Sequence, residues 1–296
     1  MERKPGDKFG PYQLVSAIGK GGMGEVWKAL DTRLQRDVAI KFCGNEFSDR
    51  FLREARAIAA LNHSNICTLH DIGPDYLVME YIEGAPPRGP LAPAEAVRLA
   101  LGIAAALEAA HAKGIIHRDL KPANILVTHS GSQPGVKLLD FGLALINVNS
   151  GVDMDNAPTA LSVVGAVMGT AAYMSPEQAH AGPVDARSDI FSFGLVLYEM
   201  LSGRRAFRGD SDLATIAAIL YKEPEPIEAP PALHSIVTRC LRKSPADRFQ
   251  SITQVKDALL TITSGLSSPG AFSMAQGSSM ARTALPAQDS YVERAP

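Results

Sequence analysis

Over the first eighty or so residues, apolar positions follow the pattern of strands. Val26, Lys28 and Leu30 alternate with their neighbours, and that two-residue period predicts a strand through Glu25–Leu30. Val38, Ala39 and Ile40 form a short apolar run of strand character that ends at Lys41. One helix interrupts this region: Phe51, Glu54, Ile58 and Leu61 fall at i, i+3, i+7 and i+10 on one stripe. Tyr76 to Glu80 is a further strand, running into the polar, glycine-ended connector Tyr81-Ile82-Glu83-Gly84. Helical spacing then takes over. Val97, Leu101, Ala104 and Leu107 mark a helix through Ala94–Lys113 that stops at Gly114. Val136–Leu139 is a short strand, and Ile190–Leu201 is apolar nearly all round, the pattern of a helix buried at the centre of its domain.

These elements predict an α+β chain of two lobes: a strand-rich lobe over residues 9–80, a hinge at 81–84 and a helical lobe over 85–263. From Ser264 the sequence turns to Ser, Gly, Ala and Pro with no apolar period, so residues 264–296 read as a disordered tail. A hydrophobic fraction of 46% over 296 residues suffices for a substantial core. A net charge of −2 gives no global pull toward nucleic acid or acidic membranes. Cys43, Cys67 and Cys240 are odd in number and widely spaced, unlike a disulfide framework or a zinc site. With a polar start, no signal-peptide core and no apolar stretch long enough to span a bilayer, the expected setting is cytoplasmic.

The chemistry concentrates in His117-Arg118-Asp119-Leu120-Lys121-Pro122-Ala123-Asn124. A carboxylate, an ammonium and a carboxamide share a short polar loop between two apolar runs, where catalytic groups are usually mounted. Asp119 can accept a proton, Lys121 can neutralise a transferring phosphoryl group, and Asn124 can offer a carbonyl oxygen to a hard metal ion. Upstream, Gly19-Lys20-Gly21-Gly22-Met23-Gly24-Glu25-Val26 supplies glycines whose bare backbone can approach phosphate. They lead into a strand rather than a helix, unlike a dinucleotide-binding turn, and Gly24 is not followed by Lys-Ser/Thr as in a Walker loop. A carboxylate on the buried stripe of the Phe51–Leu61 helix needs a cation, and Lys41 is the available one for Glu54. Downstream, Val136–Leu139 delivers Asp140-Phe141-Gly142.

Taken in order, these segments resemble a protein kinase, and more narrowly the bacterial eukaryotic-like (Hanks-type) serine/threonine branch. Lys121 after the catalytic aspartate, and Gly169-Thr170 ahead of Ser175-Pro176-Glu177-Gln178, carry the narrower likeness. The resemblance implies transfer of the γ-phosphoryl group of ATP to Ser or Thr hydroxyls of protein substrates. It implies Asp119 as the base, Lys121 and Lys41 on the phosphates, Glu54 paired with Lys41, and Asn124 and Asp140 holding Mg2+, with Mn2+ as an alternative. Nucleotide contacts would come from Ile18, the glycine-rich turn, Val26, Ala39, Met79, Glu80, Ile82 and Leu126. Asp189 would brace the catalytic loop, and Arg248 would pair with Glu177. Ser162, or else Thr159, is expected to be autophosphorylated through self-association, with Thr170 structural and Ser150 a further hydroxyl on a segment expected to be mobile. A kinase-shaped binding module without turnover and a small-molecule kinase are the competing classes. Retention of Lys41, Asp119 and Asp140 speaks against the first, and the long Asp140–Glu177 segment against the second.

Overall fold

The computed structural model describes residues 3–21, 24–43, 47–128, 134–141 and 171–266. Gly22, Met23, Gly142, the hydroxyl positions Ser150, Thr159, Ser162 and Thr170, and residues 267–296 lie outside the described residues. The N-terminal lobe is an antiparallel sheet of β1 (Lys8–Phe9), β2 (Tyr12–Gly21), β3 (Gly24–Asp31), β4 (Arg36–Phe42), β5 (Leu69–Ile72) and β6 (Tyr76–Glu80), in spatial order β1-β2-β3-β4-β6-β5. Along β3 the alternation buries Trp27, Ala29 and Asp31, which leaves Val26, Lys28 and Leu30 on the opposite face. β4 is buried at every position from Val38 to Phe42, as suits a central strand covered on both sides.

One helix, α1 (Asp49–Ala59), packs against this sheet; Ser48 caps it by accepting the Phe51 N–H at 3.2 Å. Its buried face is Phe51 and Ala55, set against Leu69 and Leu77. Two details of the expected stripe change. Leu61 lies beyond the helix end and joins the core of the other lobe, and Glu54 sits at the margin of the buried face rather than within it.

A second, small sheet of β7 (Gly84–Ala85), β8 (Ile125–Thr128) and β9 (Gly135–Leu138) lies where the connector enters the helical lobe. That lobe contains α2 (Pro93–His111), α3 (Pro176–Ala179), α4 (Ala186–Ser202), α5 (Asp212–Tyr221), α6 (Pro231–Cys240) and α7 (Ile252–Leu266). α4 is the expected central helix: every residue from Ser188 to Leu201 except Glu199 is buried. Asp185 caps its start by accepting the Arg187 N–H at 2.8 Å, and Gly203 at φ 70° ends it. Around α4, Ile103, Leu107, Leu233, Val255 and Leu259 are fully buried, each contributing about 1.5–3 kcal/mol. α7 continues to Leu266, three residues past the expected domain end, because its Val255 and Leu259 face is anchored on this core. Among the described residues no helix is long and apolar enough to cross a membrane.

Candidate active site

The loop from His117 to Asn124 is built from its backbone outward. Arg118 has φ 64°, a left-handed conformation that costs a non-glycine residue about 1–2 kcal/mol. Asp189, 1% exposed at the N-terminus of α4, holds that conformation in place. Its Oδ2 accepts the His117 N–H at 2.8 Å and its Oδ1 the Arg118 N–H at 2.9 Å. His111 Nε2 lies 2.7 Å from Oδ2. The buried carboxylate is thereby satisfied by two backbone donors and an imidazole, as burial of such a group requires.

Asp119 is 8% exposed. Its Oδ2 meets Lys121 Nζ at 2.8 Å and accepts from Asn124 Nδ2 at 3.0 Å. Asn124 Nδ2 also donates to the Asp119 carbonyl at 2.8 Å, which fixes the carboxamide and leaves its oxygen turned elsewhere. Asp119 Oδ1 is buried and has no hydrogen-bond partner among the described residues. One oxygen of the carboxylate is anchored; the other is left to accept a proton.

Asp140 is tied to the same loop. Leu139 N–H donates to the Asn124 carbonyl at 2.9 Å, and His117 Nε2 lies 3.0 Å from the Leu139 carbonyl. Phe141 packs inward, 3% exposed, with its ring 4.7 Å from that of His117. Lys41, 7% exposed, forms its ion pair with Asp140 at 2.6 Å, and not with Glu54 as the sequence suggested. Lys41 is buried and requires an anion close by, and Asp140 supplies it. Burial opposes the lysine's charge, but the charge and hydrogen bond of Asp140 prevail and hold its pKa above the ordinary value. The Asn124 carboxamide oxygen and the Asp140 carboxylate are hard donors suited to a divalent ion. Among the described residues no three His, Cys, Asp or Glu side chains group as metal ligands.

The residues expected to contact nucleotide fall along β2, β3, β4, β6, the connector and β8. Gly19 pairs with Val26 and Lys20 with Glu25, and Gly21 faces Gly24 across the hairpin. Gly24 has φ 113°, and a Cβ there would sit 1.8 Å from the Phe42 carbonyl, so only glycine fits. Val26 is the cross-strand partner of Lys41. Ala39 is buried, Val26, Met79, Ile82 and Leu126 are partly buried, and Ile18 is 47% exposed. The Glu80 N–H is taken by the Thr68 carbonyl at 2.9 Å. Its side chain forms an ion pair with Lys137 at 2.7 Å, a brace between the end of β6 and β9 that the sequence did not show.

Below the loop, Arg248 is fully buried and grips Glu177 with two bonds of 2.8 Å. It also donates to the carbonyls of Arg242, Arg187 and Lys243 at 2.8, 2.8 and 2.9 Å. Ser188 Oγ adds a 2.5 Å bond to Glu177. Burial alone would raise the Glu177 pKa, but Arg248 and Ser188 hold it below the usual carboxylate value. Ser175 caps α3 in a capping box with Gln178, and Gln178 Nε2 reaches the Arg118 carbonyl at 2.6 Å. His111 and Gln178 were not expected to support the catalytic loop. The Ser-x-x-Gln spacing is that of a capping box but carries no sign of the reach to Arg118, and nothing local marks His111.

A strand-rich lobe bearing a buried lysine, joined by a short connector to a helical lobe bearing an Asp-x-Lys-x-x-Asn loop, defines the bilobal class of kinase folds. Residues 12–259 match the family described as protein kinase domain, and the chain belongs to that family. It is 40% identical over 272 residues to probable serine/threonine-protein kinase SCO3848 of Streptomyces coelicolor, covering 83% of this chain and 39% of that protein. It is 38% identical to serine/threonine-protein kinase PknB of Mycolicibacterium smegmatis, covering 86% of this chain and 43% of the other. The chain is also 39% identical to serine/threonine-protein kinase PknA of Mycobacterium tuberculosis, covering 88% and 63%. The chain thus spans about two fifths of the length of the first two relatives. The crystal structure of the Mycobacterium tuberculosis PknI kinase domain shares the fold at a TM-score of 0.63 and 24% identity, covering 88% of this chain and 99% of that one. Members of the family use ATP and a divalent metal ion.

Proposed function

We propose that this chain transfers the γ-phosphoryl group of ATP to serine or threonine hydroxyls of proteins, with Mg2+, or Mn2+ in its place. The observation that carries this reading is the divided Asp119 carboxylate: Oδ2 is anchored by Asn124 and Lys121, while Oδ1 is buried and without a partner among the described residues. A hydroxyl donating to Oδ1 is oriented for in-line attack and loses its proton there as its oxygen bonds to the γ-phosphorus and the bond to the β–γ bridging oxygen breaks, releasing ADP. Lys121, already within 2.8 Å of Asp119, then neutralises the moving phosphoryl group. Lys41 passes from Asp140 to the α- and β-phosphates, which frees the Asp140 carboxylate. Asn124 and Asp140 would hold the divalent ion, which would supply positive charge to offset that of the phosphates.

Arg118 supports a second part of the reading. Its Nε is buried and has no hydrogen-bond partner among the described residues, which suits a phosphorylated hydroxyl on the segment before α3. Autophosphorylation between copies of the chain follows from that, with Ser162 or Thr159 as acceptor. The free thiols Cys43, Cys67 and Cys240 are consistent with a cytoplasmic, reducing setting. Incubation with γ-labelled ATP and a generic protein substrate, followed by phosphoamino-acid analysis, tests the reaction. Label on serine and threonine is expected; label only on tyrosine, or on a small molecule and not on protein, overturns it.

A further inference from the structure

A short N-terminal segment that ends in β1 grips the strand pair that carries Lys41. Residues 3–9 precede the span matched to the kinase family, which begins at Tyr12. They fold back on β2 through Gly6 N–H to the Leu14 carbonyl, 2.8 Å, and Leu14 N–H to the Asp7 carbonyl, 2.9 Å. Phe9 seats edge-on against Phe42 with ring centroids 4.7 Å apart. This fold-back carries Arg3 across the ends of β3 and β4. Its guanidinium carbon lies 3.8 Å from the centre of the Phe42 ring. Its Nη1 is 3.3 Å from Glu25 Oε2, and its Nη2 is 3.9 Å from Asp75 Oδ2.

Glu25 and Phe42 face each other across β3 and β4, and the next rung of the ladder pairs Val26 with Lys41. Gly24, one residue before Glu25, lies directly on the Phe42 carbonyl. A single guanidinium thus ties both members of the rung beside Lys41, at the point where β3 leaves the glycine-rich turn. We propose that Arg3 is a positioning residue for the nucleotide phosphates. It clamps the Glu25–Phe42 rung, fixes β3 relative to Lys41, and so tightens the hold on the α- and β-phosphates without touching them. The proposal rests on the reading of this cleft as the ATP site.

The size of the effect follows from the contacts. A cation over an aromatic face and a partly exposed ion pair are each modest, and together they predict about three- to tenfold in phosphate-dependent affinity. An arginine with a merely structural role would affect all ligands of the cleft alike. Titration of the full chain with ATP–Mg2+ and separately with adenosine, for wild type, Arg3→Ala and Glu25→Gln, separates the two. Both variants are expected to weaken ATP about three- to tenfold and adenosine less than about twofold, with KM for ATP rising in step and kcat of Arg3→Ala nearly unchanged. Arg3→Lys, which keeps charge toward Glu25 but loses the flat stack on Phe42, is expected to fall between. Equal weakening of ATP and adenosine, or no weakening of ATP in Arg3→Ala, overturns the clamp while leaving the site reading intact. A wild-type chain that binds adenosine and ATP not at all overturns both.

Discussion

Replacing Arg248 by methionine removes the most heavily engaged side chain in the helical lobe. Its guanidinium makes two bonds to Glu177 and three to the carbonyls of Arg242, Arg187 and Lys243. Leaving a buried carboxylate without its cation costs about 3–5 kcal/mol. Three carbonyls that lose a donor add about 0.5 kcal/mol each once water is readmitted, for a total of about 4.5–6.5 kcal/mol. At about 2–4 °C per kcal/mol for a domain of this size, Tm falls by about 9–26 °C. The pH dependence changes sign as well. In the wild type the Glu177 pKa is depressed, so its contribution is present above the ordinary value of 4.5 and is lost as pH falls below it. In the variant the Ser188 bond to Glu177 remains, but without Arg248 burial counts for more and the Glu177 pKa rises from its wild-type value, so protonation relieves part of the defect. The gap in Tm should therefore narrow between pH 7.5 and pH 5. Arg248→Met/Glu177→Leu should recover at least half the loss, because the orphaned charge is gone. Scanning calorimetry at both pH values checks each point. A single-variant loss below about 2 kcal/mol, or a gap that widens in acid, refutes the reasoning.

Lys41→Met keeps the bulk of the side chain but not its charge, and is expected to lower turnover by at least about 10²-fold while the fold persists, as read by activity and circular dichroism together. Mass spectrometry of ATP-treated protein should find Ser162 or Thr159 modified in wild type but not in Asp119→Asn; full activity in a Ser162→Ala/Thr159→Ala double variant would exclude control through these residues. Deleting residues 267–296, a stretch with no apolar period, should shift Tm by less than about 2 °C, whereas cutting before Leu259 removes a buried anchor of α7 and should cost about 2–5 kcal/mol.

The catalytic loop and the strand bringing Asp140 were legible because their chemistry sits in contiguous residues between apolar runs. The all-round apolar pattern of α4 likewise fixed its burial, and Asp189 at its start braces the loop as its position implied. The partner of Lys41 was not legible. It depends on how α1 seats as a body on the sheet, and the helical period alone placed Glu54 on a stripe whose buried members are Phe51 and Ala55. Contacts between distant segments were hidden for the same reason. Glu80 and Lys137 are 57 residues apart, His111 and Asp189 are 78 apart, and no local pattern marks either pair.

The central claim is that Asp119 accepts the proton of a protein hydroxyl through its unpartnered oxygen, and Asp119→Asn tests it most directly. Asparagine preserves shape and can still meet Asn124, so ATP binding by titration should stay within about twofold of wild type. Single-turnover transfer of the γ-phosphoryl group to a protein substrate should fall by about 10²–10⁴-fold. A variant that binds ATP normally and transfers phosphate at a rate near that of wild type would contradict the account.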